Sequence, residues 1–208
     1  MMEKALPLLP SSPPLDQARG ALLLVHGRGA TAESMLPLAE ALDVPDLALV
    51  APQAPGFAWY PYPFMSPIQQ NEPHLSNALR TLDDLFRELS AAGLPPEKVL
   101  LIGFSQGACL ASEYAARNAR RYGGVAALSG GLIGPPGTPR NYPGSLGGTP
   151  VFLGCSDIDP HIPKERVLES EQVLRGLGAD VTARIYPGMG HTINEDELAF
   201  LRTMAQNL

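Results

Sequence analysis

Residues 98–111 read "KVLLIGFSQGACLA", and this stretch decides the fold. Lys98 to Ile102 is a short apolar run with no polar alternation, the pattern of a strand buried on both faces. Gly103-Phe104-Ser105-Gln106-Gly107 follows at once and matches G-x-S-x-G, and Ala108 to Arg117 continues as a helix with small residues on its first turn. A serine in so sharp a strand-to-helix turn is held in strained geometry, with glycines on either side where side chains would clash. Its hydroxyl then stands exposed at the end of a sheet, beside a helix amino terminus that favours developing negative charge. Ser105 is therefore the candidate nucleophile.

Working outward, five further runs rich in Leu, Val and Ile read as strands: Ala21 to Val25, Leu47 to Ala51, Gly124 to Leu128, Pro150 to Leu153 and Val181 to Tyr186. Helical patterns lie between them. Leu75, Leu79, Leu82, Phe86 and Leu89 share one helix face that ends at Gly93 and Pro95-Pro96. Val167, Leu174 and Leu177 repeat the pattern before Gly178, and Asn194 with Glu197 forms a capping-box signature ahead of Leu198, Leu201 and Met204. Alternating strands and helices predict an α/β fold with a mainly parallel sheet, helices on both faces, and chemistry in the loops at the strands' carboxyl ends. Residues 1–20 are expected to form a partly ordered N-terminal extension and residues 21–208 a single domain. Pro/Gly-rich loops are expected over Pro52 to Pro73 and Gly130 to Gly148, the second too short for a separate cap.

With 208 residues and a formal charge of -6, the chain has no basic cluster beyond pairs such as Arg120-Arg121, which argues against nucleic acid as a partner. Prolines at positions 7, 10, 13 and 14 interrupt the start, so no signal peptide or membrane span is expected and the chain reads as cytoplasmic. Cys109 and Cys155 are too few for a disulfide framework and lack metal-ligand spacing, so both read as buried thiols.

A serine nucleophile needs a base and an acid to orient it, and in such a sheet they follow in the order Ser, acid, His. His26 and His74 precede Ser105, and His161 sits in the acid's own loop, which leaves His191 in "YPGMGH" as the base. The acid lies in "GCSDIDPHIP", residues 154–163, where Asp157 and Asp159 stand two residues apart. The oxyanion site needs the backbone N–H after the nucleophile, that of Gln106, and one from the loop after an earlier strand, that of Arg28 in "VHGRG". The Arg28 side chain has two readings, a contact to an acidic substrate group or a structural pairing. Phe57, Trp59, Tyr60, Tyr62 and Phe64 crowd one loop; Trp59 and Tyr60 are taken as substrate-binding residues, with packing against the body as the alternative.

"LLLVHGRGA", "LIGFSQGACLA", "GCSDIDPHIP" and "YPGMGHTINEDE", in this order, resemble the phospholipase/carboxylesterase branch of the α/β-hydrolase superfamily, which includes the acyl-protein thioesterases. The resemblance runs from Ala21 to Leu208. It implies an α/β-hydrolase fold without a cap domain and cofactor-free hydrolysis of an ester or thioester through an acyl-serine intermediate. It also implies Ser105 as nucleophile, His191 as base, and Arg28 and Gln106 as oxyanion donors. A gapless match from Pro150 assigns the acid to Asp159, the second aspartate of D-x-D-P-x-V-P, with Asp157 as the alternate. The position of Pro163 as the start of the next helix agrees with this. Arg28 replaces an apolar residue of the thioesterases, and Ser156 replaces a common glycine; the first points to small or short-chain esters. The expected partner is a small-molecule ester, with the chain a monomer or homodimer. The alternatives are a thioesterase or lysophospholipase of the same family and, in a different class, an inactive or metal-binding protein using Asp157, Asp159 and His161.

Overall fold

The computed structural model describes residues 6–208. Six strands form one sheet, β1 (Gly20–Val25), β2 (Leu47–Val50), β3 (Val99–Phe104), β4 (Gly124–Leu128), β5 (Pro150–Ser156) and β6 (Asp180–Tyr186). Their order is β2-β1-β3-β4-β5-β6, and every pairing is parallel. All residues of β1, β2 and β4 are buried, as strands covered on both faces must be. β5 runs three residues beyond the expected Leu153 because Gly154, Cys155 and Ser156 continue the ladder with β6.

Five helices cover the sheet: α1 (Leu36–Leu42), α2 (His74–Ala91), α3 (Gln106–Arg117), α4 (Lys164–Gly176) and α5 (Glu195–Gln206). Apolar side chains of α2, α3 and α4 pack with Leu23, Val25 and Leu101 on one face, whereas those of α1 and α5 pack with Leu22, Leu24 and Ile102 on the other. Alternate residues of one strand thus feed two cores. α1 has no counterpart among the expected elements, because seven residues make only two turns and too few repeats to register a helical period.

The expected extension falls partly outside the described residues, which begin at Leu6. From there the chain follows the outer edge of β2: Leu9 N–H donates to Leu49 O at 2.8 Å, Ala51 N–H to Pro7 O at 2.9 Å, and the Leu9 side chain is buried. Pairing of this kind covers an otherwise open sheet edge.

The stretch between β4 and β5 contains no helix or strand among the described residues and lies on the body, with Leu132, Ile133 and Leu146 fully buried. Buried charges hold it there. Arg166 donates through Nη1 to the carbonyls of Leu132 and Gly134, each at 2.6 Å, and Glu113 accepts from Ile133 N–H at 3.0 Å and from the Tyr142 hydroxyl at 3.1 Å.

β1 and β3 are neighbours although β2 lies between them in sequence, with Val25 paired to Gly103. The loop after β1 therefore meets the turn after β3 at a topological switch point, where open α/β sheets place their sites.

Candidate active site

Ser105 joins β3 to α3 with φ 55° and ψ -118°, a positive φ that is strained for any residue with a side chain. The two flanking glycines are required by contact. A Cβ on Gly103 would stand 2.3 Å from Gly107 O, and one on Gly107 would stand 2.0 Å from Val25 O. The turn is therefore closed by backbone touching backbone, and the Ser105 N–H is anchored across the sheet on Leu128 O at 2.9 Å.

The Ser105 hydroxyl meets His191 Nε2 at 2.9 Å, and His191 Nδ1 meets Asp159 Oδ2 at 2.7 Å. Asp159 Oδ1 accepts the N–H groups of His161 at 2.8 Å and Ile162 at 3.0 Å. The Asp159 side chain is fully buried and that of His191 is 19% exposed. Burial opposes ionisation of Asp159, but the hydrogen bond from His191 and those from the two backbone N–H groups outweigh it and hold the carboxyl below the usual carboxylate range.

Asp157 occupies a different position. Its Oδ1 accepts Gly188 N–H at 2.8 Å, and Ser156 Oγ accepts Gly190 N–H at 3.1 Å, so these two residues brace the loop that carries His191. Further along that loop, Asn194 and Glu197 form the capping box, with Glu197 N–H to Asn194 Oδ1 and Asn194 N–H to Glu197 Oε2 both at 2.9 Å. Glu197 is fully buried with Oε1 unpartnered among the described residues, and burial pushes its carboxyl up to about 7.

On the other side, the loop after β1 packs against Ser105, since a Cβ on Gly27 would lie 3.3 Å from Ser105 Cβ. The backbone N–H groups of Arg28 and Gln106 donate to no acceptor among the described residues. His26 fixes this loop from within. Its Nδ1–H donates to Gly27 O at 2.7 Å while Nε2 accepts Ala54 N–H at 3.1 Å, and this pair of partners sets the tautomer. Burial lowers the pKa of the His26 ring and so favours this neutral form.

The aromatic loop is stitched to both. Gln106 accepts Trp59 N–H at 2.9 Å and donates to Tyr60 O at 2.8 Å. The Arg28 guanidinium donates to the carbonyls of Tyr60, Pro61 and Tyr62 at 2.9–3.0 Å, so three of its five N–H groups are structurally paired.

A cavity of about 490 Å³ opens over Ser105, lined by Arg28, Tyr60, Phe64, Phe104, Ile162 and His191 among others. Trp59, expected to bind substrate, does not line it. The side chain is 3% exposed and its indole N–H donates to His26 O at 2.8 Å, making it a brace behind the wall. Tyr60 does line the cavity, while Phe57 and Tyr62 point to solvent. Phe104, Cys109, His161 and Ile162 also line the cavity, and none of them was expected to do so from the sequence, where His161 was named only as a metal-ligand candidate and Cys109 only as a buried thiol. The available signal was adjacency, since Phe104 precedes Ser105 and His161-Ile162 follow Asp159. Cys109 and Cys155 are both buried, and burial pushes each thiol up to about 12. Among the described residues no three His, Cys, Asp or Glu side chains gather as a metal site, and Asp157, Asp159 and His161 are divided among the bonds given above. No helix among them is long and apolar enough to cross a membrane.

The sequence pattern of the phospholipase/carboxylesterase family matches residues 12–207. A solved phospholipase/carboxylesterase from Dyadobacter fermentans superposes with a TM-score of 0.91 at 42% identity, covering 99% of each chain. Acyl-protein thioesterase 1 of Saccharomyces cerevisiae is 27% identical over 208 residues, 88% of this chain and 90% of that protein. Its Gibberella zeae namesake is 33% identical over 132 residues, 57% of this chain and about half, 53%, of that relative. Together with the parallel six-stranded sheet, these likenesses show that the chain belongs to the phospholipase/carboxylesterase family of α/β hydrolases.

Proposed function

We propose that the protein hydrolyses small or short-chain carboxylic esters, with Ser105 as nucleophile, His191 as general base and Asp159 as the acid that orients it. The observation that carries this reading is the unbroken chain of hydrogen bonds from Ser105 Oγ through His191 to Asp159, at 2.9 and 2.7 Å, on a strained turn facing a cavity. His191 Nε2 takes the hydroxyl proton as Ser105 Oγ attacks the ester carbonyl. The resulting oxyanion is held by the free N–H groups of Arg28 and Gln106. Collapse of the intermediate breaks the bond to the alcohol oxygen, which leaves with the proton from His191, and an acyl-serine remains. Water, deprotonated by the same imidazole, then releases the carboxylic acid and restores Ser105. Ionised Asp159 keeps the proton on Nδ1, so that Nε2 is free to accept, and stabilises the imidazolium. The same steps would cleave a thioester, the bond named in the two thioesterase relatives.

The cavity size suits a small ligand, and its lining includes the buried side chains of Tyr60, Phe64 and Cys109. Two buried free thiols suit a reducing compartment such as the cytoplasm. A panel of esters graded from acetyl to palmitoyl tests the substrate range. Turnover is expected to peak at acyl chains of about six carbons or fewer; a palmitoyl optimum would contradict it.

A further inference from the structure

The backbone of Arg28 is assigned to the oxyanion site, and its side chain stands beside it in the cavity wall. Three of the five guanidinium N–H groups go to the carbonyls of Tyr60, Pro61 and Tyr62, which fix the plane of the fork. Carbonyl dipoles orient a cation but do not neutralise it. No carboxylate pairs with Arg28 among the described residues; the same is true of Arg80, Arg120, Arg121 and Arg202, but of these five only Arg28 lines the cavity. Two N–H donors, Nε–H and one on Nη1, and an unneutralised positive charge therefore remain on a residue that lines the pocket, on a chain whose formal net charge is -6.

The rest of the lining sharpens the asymmetry. It contains no Asp or Glu. The Gln106 amide is used at both ends by Trp59 N–H and Tyr60 O. Asp159 lies fully buried behind His191 and does not line the cavity. His161 also lines the cavity, on the His191 side, its ring edge-on to His191 at 4.9 Å between centroids, and can serve as a second donor. Beyond the reacting atoms and Gln106 the lining carries one cation, Arg28, and no anion; its other polar side chains, Tyr60 and His161, can each donate, and the remaining wall is apolar.

We infer that the preferred substrates are esters carrying an oxyanionic group, a carboxylate or phosphate, a few atoms from the scissile carbonyl, and that the Arg28 guanidinium binds this group. The inference rests on the esterase reading above and adds the chemical class of its substrate. A guanidinium already immobilised by three carbonyls loses little rotamer freedom when an oxyanion meets its charge and one remaining N–H, Nε–H or Nη1–H.

The test uses isosteric pairs. On the acyl side, monomethyl glutarate is compared with methyl 5-methylhexanoate; on the alcohol side, acetoxyacetate is compared with isobutyl acetate. The expected result is that kcat/KM favours the anionic member of at least one pair by about tenfold at low salt. That ratio should fall several-fold in 0.5 M NaCl, since an exposed charge interaction is screened within a few ångströms at such ionic strength. Arg28→Gln should bring the ratio to one or below, and Arg28→Lys should keep an intermediate value. The side on which the preference appears locates the anion. Preference for the neutral member in both pairs, or a ratio unchanged by salt and by Arg28→Gln, would overturn the inference. Hydrolysis of the neutral esters by the unaltered protein, absent in Ser105→Ala, supports the esterase reading independently of either outcome.

Discussion

The two halves of the site are held in place by different physics. On the Ser105 side, the turn is fixed by backbone in van der Waals contact, Gly103 against Gly107 and Gly107 against Val25, and only the loop packed on it is tied by hydrogen bonds of His26, Trp59 and Arg28. On the acid and base side, the loops after β5 and β6 are fixed by polar side chains that accept backbone N–H groups: Asp157 from Gly188, Ser156 from Gly190, Asp159 from His161 and Ile162, Glu197 from Asn194. A steric lock has one state and fails as a whole. A set of hydrogen bonds can be weakened one at a time, each worth about 1 kcal/mol. On the proposed reading, the half that presents the oxyanion donors without reorganising is the one with the steric lock, and the half that carries the titrating groups is the polar one.

The largest effect should come from the polar side, at the single tie that is also chemical. Asp159→Asn is expected to lower kcat by about a thousandfold or more, because an amide no longer fixes the His191 tautomer. Asp157→Asn removes only a brace and is expected to lower stability by about 1 kcal/mol with kcat within about tenfold of wild type. Steady-state kinetics and urea unfolding of both variants separate the roles. A well-folded but inactive Asp157→Asn beside an active Asp159→Asn would exchange them.

Breaking the steric lock gives the next effect. Gly107→Ala places a methyl group 2.0 Å from Val25 O, where no rotamer relieves it. The expected loss is more than about 3 kcal/mol of stability, or failure to fold, read from thermal or urea unfolding. A variant as stable and active as the wild type would show that this side is not locked as described.

The smallest effect tests a polar tie through pH. The Glu197 carboxyl sits at about 7 in the folded protein, against about 4.3 in the unfolded chain. Its folded pKa is raised, so the folded state holds the proton more tightly, and the associated stability is present below about pH 4.3 and lost as pH rises through about 7. Glu197→Gln cannot titrate. The fall in unfolding free energy between pH 5 and pH 8 should therefore be smaller in the variant by about 1–3 kcal/mol. Equal falls in both proteins would contradict this.

The same division explains what could be read from the sequence. Strands buried on both faces leave uninterrupted apolar runs, so all six were legible, and G-x-S-x-G was legible because a backbone contact leaves no residue but glycine at Gly103 and Gly107. The order serine, acid, histidine was expected from the fold, and the choice of Asp159 over Asp157 rested on the family resemblance. Side-chain direction did not. An aromatic in a loop carries no mark of which way it faces, so Trp59 read as a pocket residue although it braces His26 from behind. Asp157 and Asp159 differ by two positions in the same loop, and only the path of the chain after Ser156 decides which carboxylate meets His191. Arg28 was ambiguous because its partners are backbone carbonyls, which no residue identity reveals.

The central claim is that Ser105 is the atom-bearing nucleophile of an acyl-transfer site. It is tested most directly by reacting the protein with a fluorophosphonate, which traps a serine activated by a neighbouring base, and locating the adduct by mass spectrometry. One equivalent should be found on Ser105, with loss of esterase activity in parallel, no labelling of Ser105→Ala, and activity of that variant lower by several orders of magnitude. An adduct on another residue, or a Ser105→Ala protein retaining more than about a tenth of wild-type turnover, would contradict the account.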